Sequence, residues 1–456
     1  ARSDPHGLVV RGRGRFRDAP ITLALDGAAL TGGVTRDYPA NVRVASRLVS
    51  VDGQVRMARA LSLDRFSARV HARGEDLGYF DDLVEAGLVR TQAFDLRGDI
   101  RREPGVWTIG RLAGRVGRSR LTASATVRRD GERTRIAGRV DAATLDFGDF
   151  ASDAQRAKGM AQARATGPRV IPATRIELDG LAKLDGTLAV DAKRLLSSSP
   201  SPLRALKATV TLDRRRLTVS PLAVPLSYGI ARGRLVVDDR GSLPRLSADL
   251  RIAQGATIDG LLLGDTAVAG PLTVRVRMTG SGRTLRDAAA AGSGRVGLVV
   301  RGGTMRRDYA TFLGGDLFKS VGAVVSGGNG RVPVRCLTAR FTLSPGRLTP
   351  APLVLDATIA RGDGSGVIRL PSEQIDIAIR GRAAKPGVLQ SSTPVLVLGA
   401  LSDPKIDVRP PRAAARGKTG LLDRVGALLK GLKTKADNPE PARPADCARL
   451  AAQALG

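Results

Sequence analysis

The sequence predicts a mainly β protein of short antiparallel strands that each have one apolar face. Apolar residues alternate with polar ones in the C-terminal third, as at Phe341 and Leu343 and again at Ile375, Ile377 and Ile379. Turn residues such as Pro345-Gly346 separate these runs. The chain is 42% hydrophobic but only 3% aromatic, so Leu, Val, Ile and Ala must form the apolar face.

A formal net charge of +30, with Arg spread along the strand patterns, leaves three interpretations open. Arg can supply the solvated face of each strand, attract anionic lipid headgroups, or bind nucleic acid. Because the basic residues are spread rather than clustered, the solvated face is favoured and nucleic acid is an unlikely partner.

The residues that enzymes and metal sites need are scarce. The chain has two His (His6 and His71) and two Cys, without the closely spaced pairs of a zinc site. No carboxylate pair is placed for acid–base catalysis. Gly292–Gly297 spells G-x-G-x-x-G, but a predicted helix precedes it and a strand follows, the reverse of a dinucleotide site. We therefore predict no enzymatic activity, no cofactor and no metal.

Taken in order, strand patterns fill 1–150, with a short helix after Asp76 as its cap. The small polar residues of 151–170 predict a flexible linker or loop, and strands resume over 171–410. Within them, the Ala-rich stretch before Gly292 predicts a short helix.

The tail, 411–456, begins with a predicted amphipathic helix and continues as a Pro-rich segment. This helix either docks on protein, capping the groove described below, or lies on an anionic membrane; docking is favoured because two glycines weaken it in isolation. Its apolar face comprises Leu421, Leu422, Val425, Leu428, Leu429 and Leu432.

The order of motifs in the C-terminal third resembles the AsmA family of bacterial envelope proteins. In both, a Cys stands before an apolar strand, and a short strand, a Gly hairpin, an alternating strand, a Leu-Ser-Asp-Pro motif and a late second Cys follow. The matching residues are Cys336, 353–356, 364–366, 373–379, Gly399, 401–404 and Cys447. A Gly-aromatic strand around Trp107 and a Gly-x-Ser hairpin at Gly117 and Ser119 resemble an earlier part of the family.

The resemblance implies an elongated, repetitive antiparallel β-sheet curled into an open apolar groove in the periplasm. It implies phospholipid acyl chains as ligands, an inner-membrane anchor that is N-terminal to this chain, and partners at the outer membrane or in the envelope. The expected function is lipid transport that supports the outer membrane. The candidate acyl-chain contacts are Val296, Leu298, Val300, Leu353, Leu355, Ile375, Ile377 and Ile379.

The resemblance also matches Cys336 and Cys447 to the family's two Cys positions. It implies a disulfide that pins the tail to the C-terminal strands, which the oxidising periplasm would permit. Two alternative functions stay open: a scaffold that affects outer-membrane assembly without carrying lipid, and a basic protein that binds polyanions.

Overall fold

The structure is a computed structural model. The residues that it describes are 2–4, 7–30, 36–80, 90–166, 169–171, 173–176, 178, 181–196, 203–227, 229–258, 267–314, 330–385, 394–407 and 441–456.

The described residues form a mainly β fold, as the alternation predicts, and no pairing among these strands closes the sheet on itself. The strands are β1 (Arg2–Asp4), β2 (Gly7–Phe16), β3 (Ala19–Gly27), β4 (Arg36–Ser46), β5 (Val49–Arg59), β6 (Phe66–Gly74), β7 (Phe94–Glu103), β8 (Val106–Val116), β9 (Ser119–Asp130), β10 (Arg133–Asp146), β11 (Leu184–Ala192), β12 (Leu195–Leu196), β13 (Leu206–Asp213), β14 (Arg216–Leu226), β15 (Gly229–Asp238), β16 (Arg245–Ala253), β17 (Val268–Ala269), β18 (Leu272–Ser281), β19 (Ser293–Arg301), β20 (Thr304–Arg306), β21 (Arg331–Ser344), β22 (Arg347–Ala357), β23 (Ala360–Arg369), β24 (Gln374–Ala383), β25 (Val395–Ala400) and β26 (Asp403–Asp407).

Short helices interrupt the strands. The α-helices are α1 (Asp153–Thr166), α2 (Leu285–Ala290), α3 (Arg307–Gly314) and α4 (Cys447–Leu455), and 3₁₀ helices lie at Leu77–Phe80 and Phe147–Phe150. The side chain of Asp76 accepts the Gly78 and Thr91 amides, at 2.8 and 2.9 Å, and so stabilises the start of the first 3₁₀ helix as predicted. Where the sequence predicts a linker or loop over 151–170, the structure has helix α1, whose described side chains, 153–161, are exposed.

The chain forms two compact units. The first unit comprises Ala1–Pro168, Thr174–Leu250 and Ser281–Leu285, and the second comprises Arg169–Ala173, Arg251–Gly280 and Arg286–Gly456.

The first unit is an antiparallel meander from β2 to β10, in which each strand pairs with the next. The purely antiparallel prediction is wrong at one place. β10 pairs in parallel with β11, from Thr134 opposite Leu184 to Ala142 opposite Ala192, and β12 continues this pairing. A parallel pair needs a long crossover, and the segment that contains α1 provides it. Antiparallel pairing then resumes from β11 through β13 and β14 to β15.

In the second unit, β18, β19, β21, β22, β23, β24, β25 and β26 pair antiparallel in that order. The predicted Ala-rich helix is present as α2, and its buried Ala288 and Ala289 pack toward the sheet. Gly292 ends this segment, and its amide donates to the Ala289 carbonyl at 3.1 Å.

Ion pairs cross the polar face of the first unit. Arg43 lies 2.8 Å from Asp52 on the next strand, and Arg133 lies 2.7 Å from Asp185. These contacts agree with the interpretation that Arg supplies a solvated strand face, and most are exposed pairs that stabilise the fold little individually.

Acid is expected to destabilise the first unit through Asp185. Hydrogen bonds from the Arg133 guanidinium lower the pKa of Asp185 to about 2, from a value near 3.9 in an unfolded chain. Because the folded-state pKa is the lower one, this stabilisation is complete above about pH 4 and is lost as the pH falls through about 2.

Thermal denaturation at a series of pH values measures this effect. Asp185→Asn should lower the melting temperature at neutral pH and flatten its fall below about pH 4. Asp130→Asn, which removes a carboxylate whose side chain is 76% exposed, is the control. Identical pH profiles for wild type and Asp185→Asn would contradict the assignment.

Candidate functional site

One face of the first unit is apolar across every strand from β2 to β15 whose register is described. Leu23 lies opposite Val44, and the row continues through Val51, Ala72 and Leu96. Since successive side chains of a strand point to opposite faces, these registers assign every second residue to this face. Not one Asp or Glu of these described strands falls on it. We call it the apolar face of the first unit.

The apolar face of the first unit differs at its two ends. At one end, Leu77 and Phe80 of the 3₁₀ helix pack against the buried Val49, Phe94 and Leu96 and cover the strand ends. The Phe80 and Phe94 rings meet edge to face, with centroids 5.9 Å apart.

At the other end of the same strands, arginines occupy positions on this face, and Arg36 of β4 lies opposite Arg59 of β5. Arg59, Arg102 and Arg129 lie at or next to the ends of β5, β7 and β9, and Arg102 is directly opposite Phe66 on one side and Trp107 on the other. We call Arg59, Phe66, Arg102, Trp107 and Arg129 the Arg rim. Phe66 and Trp107 meet edge to face at 5.9 Å, and the Arg102 guanidinium lies 5.0 Å from the Trp107 ring centre.

The second unit has an apolar face of its own, and all eight candidate acyl-chain contacts lie on it. Leu298 is opposite Ala339, which is opposite Leu353, and Ile377 is opposite Val397. The registers therefore place all eight candidates on one face. Their burial differs: Val300, Leu353, Leu355, Ile375 and Ile377 are buried, and Val296, Leu298 and Ile379 are half-buried.

Helices cover both strand ends of the second unit's apolar face. At one end, a Cβ added to Gly381 would overlap the Leu313 carbonyl oxygen of α3, and one added to Gly362 would meet the Leu313 side chain at 2.8 Å. At the other end, Ala289 of α2 packs with Leu343 and Leu370. The half-buried candidates lie between these two helices.

A buried carboxylate fixes one of these ends. Glu373 is 2% exposed and accepts the Val170 and Ile171 amides at 2.8 and 3.0 Å, which holds Ile171 against the cluster around Leu343. From the sequence, Glu373 is only the first residue of the 373–379 motif, and no buried role is predicted for it.

The Cys336–Cys447 disulfide is present, so this pairing is confirmed. It anchors residues 441–456, which we call the C-terminal strap, on the face of the second unit opposite the apolar one. The buried Asp356 accepts the Ala445 amide at 3.0 Å and binds Arg335 at 2.8 Å. α4 then crosses β19, where an added Cβ at Gly297 would overlap the Ala454 carbonyl oxygen.

Helix α4 was not predicted from the sequence. The helix predicted from Leu421, Leu422, Val425, Leu428, Leu429 and Leu432 lies outside the described residues. A signal for α4 was present at Asp446, whose carboxylate caps the helix by accepting the Arg449 amide at 3.0 Å.

Known proteins give no independent identification. The sequence matches no model of a known protein family, and no curated protein matches it. Within the described residues, no cluster of three or more His, Cys, Asp or Glu side chains is placed to hold a metal ion. No helix in the described part of the chain is both long and apolar enough to cross a membrane.

Proposed function

We propose that this protein binds phospholipid acyl chains on its apolar faces and lets them move across the bacterial periplasm, as an AsmA-type envelope protein without a catalytic step. One observation carries the proposal: neither apolar face presents a carboxylate across its described registers, although Asp and Glu are common on the opposite face. Burying a carboxylate among acyl chains would cost free energy, whereas Val, Leu and Ile side chains and the bare Cα of Gly present no polar side-chain group to them.

The burial pattern also supports a ligand on these faces. Leu23 is 40% exposed, and Val296, Leu298 and Phe341 are half-buried rather than covered. Acyl chains on such residues would remove apolar surface from water, at about 25 cal/mol per Å². Movement along a surface of uniform chemistry needs no reacting group, which fits a protein with two His and its only two Cys in a disulfide.

The proposed location and the alternatives rest on different features. A disulfide is compatible with an oxidising compartment such as the periplasm. Polyanion binding would use the polar face, where carboxylates already neutralise Arg43, Arg133 and Arg139. A scaffold would have the same fold but no bound lipid.

Photo-crosslinking on the two faces of one strand tests the proposal. A benzoylphenylalanine at Val44 should form adducts with phospholipid in cells, whereas the same group at the neighbouring Arg43 should not. Val296 and Arg295 form the matching pair in the second unit, and their side chains also alternate between faces. Mass spectrometry of the purified adducts reads the result. Absence of lipid at both Val44 and Val296 would favour the scaffold.

A further inference from the structure

The Arg rim places cations at one end of a face that carries no carboxylate in its described registers. Between Leu96 and Arg102, the face positions of β7 are Leu96, Gly98 and Ile100, and the guanidinium of Arg102 follows directly. Arg102 is half-buried, contacts the Trp107 ring and has no carboxylate partner among the described residues. Arg59 likewise has no ion pair within the described part of the chain.

Arg101, the residue next to Arg102, lies on the opposite, polar face and has a carboxylate partner. Arg101 bonds Glu103 at 2.6 Å, and on the same polar face Arg69 and Arg111 share Asp99, at 3.7 and 2.9 Å. Arg101, Arg69 and Arg111 on the polar face thus have carboxylates beside them, while Arg102, one residue from Arg101, has none among the described residues.

We propose that the Arg rim binds the phosphate of an amphiphile whose acyl chain lies on the apolar face of the first unit; this inference rests on the proposed function. Arg guanidinium binds phosphate oxygens through paired, charge-assisted hydrogen bonds. The contact with Trp107 holds the Arg102 guanidinium at the edge of the apolar surface, where a headgroup and its chain would meet.

The dimensions of the face agree with this ligand. The distance along β7 from Arg102 to Leu96 is about 20 Å at about 3.3 Å per residue. One leaflet of a bilayer is about 15 Å thick, half of the hydrocarbon core. The covered end at Leu96 would therefore receive the methyl end of a chain whose phosphate is at Arg102. Arg59 and Arg102 lie two strands apart, about 10 Å, so two neighbouring phosphates would each find an arginine.

Trp107 gives a local readout because it is the chain's one Trp. The full-length chain is titrated with dodecyl phosphate, dodecyl maltoside and inorganic phosphate, each amphiphile below its micelle concentration, while Trp107 emission is followed. We expect dodecyl phosphate to bind about tenfold more tightly than dodecyl maltoside, and inorganic phosphate to bind far more weakly than either. Affinities are taken from midpoints, because the emission amplitude also depends on the Arg102 contact.

Substitutions at two neighbouring residues distinguish phosphate binding at the Arg rim from an effect of the protein's net charge. Arg102→Gln should abolish the preference for dodecyl phosphate while keeping the affinity for dodecyl maltoside. Arg101→Gln removes the same charge from the opposite face and should keep the preference. Equal affinity for both amphiphiles in the wild type, or equal effects of the two variants, would overturn the Arg rim site and leave the proposed function standing. Inorganic phosphate binding as tightly as dodecyl phosphate would instead indicate a free-phosphate site, and no binding by either amphiphile would overturn the proposed function as well.

Discussion

Replacing Ile377 by Asp is expected to unfold the second unit, whereas the same type of replacement at Leu23 should leave the first unit folded. Ile377 is 5% exposed and packs with Ala339, Leu353 and Ile375 between the two helix-covered ends. An Asp carboxylate there would have no cation on the same face of the described strands, and we expect the free energy of unfolding to fall by on the order of 4 kcal/mol. Leu23 is 40% exposed, so an Asp at that position stays hydrated and should cost about 1 kcal/mol or less.

Hydrogen–deuterium exchange is the suitable measurement, because it reports on the two units separately. Ile377→Asp should raise exchange across β21 to β25 and leave β2 to β10 protected. Ile377→Val, which removes one methylene, is the control and should cost about 1 kcal/mol. A second unit that stays folded in the Ile377→Asp variant would mean that water reaches this face as freely as it reaches Leu23.

Most strands and their apolar faces could be predicted from the sequence because the alternation of side chains is a local property. Ile375, Ile377 and Ile379 share a face in any strand with this spacing, whichever strand lies beside it. The parallel pairing of β10 with β11 could not be predicted in the same way, because it depends on where a crossover returns the chain.

The helices were predicted unevenly for a related reason. The Ala-rich stretch before Gly292 has a clear stop signal, and it forms α2. The buried face of α4 consists of Ala451 and Ala454, so its apolar pattern is weak, and its docking depends on the absence of a side chain at Gly297. The close approach of the α4 backbone to the β19 backbone cannot be predicted from either segment's sequence alone.

The Arg rim could have been predicted from the sequence, but it was not. In FDLRGDIRRE, Arg102 has the same parity as Leu96 and Ile100, whereas Arg97 and Arg101 have the other. Composition alone gives 73 basic residues and a net charge, and it cannot separate those on a polar face from those at the end of an apolar one. Strand parity makes that separation, and the registers then bring Arg59, Arg102 and Arg129 to the same end.

Breaking the Cys336–Cys447 disulfide is expected to release the C-terminal strap while the strands of the second unit stay folded. The bond closes a loop across 111 positions of sequence, a constraint of about 4 to 5 kcal/mol in the chain-entropy model. Besides the disulfide, the strap is held by the Ala445 amide on Asp356, the Ala442 amide on the Ala383 carbonyl, and the small side chains of Ala451 and Ala454. The Arg361 and Arg277 guanidinium groups also donate to the carbonyls of Arg443 and Gly456.

Limited digestion followed by mass spectrometry measures strap release: trypsin can cut after Arg449, and endoproteinase Asp-N can cut before Asp446. Cys447→Ser should be cut at both within a time that leaves the wild type intact, and β18 to β25 should survive. Gly297→Val is the matched variant: it adds bulk beneath α4 but keeps the disulfide, so cleavage should be enhanced at Arg449, beyond Cys447, more than at Asp446. If Cys447→Ser resists both proteases as the wild type does, the contacts at Asp356 and α4 hold the strap by themselves, and the disulfide is dispensable for docking.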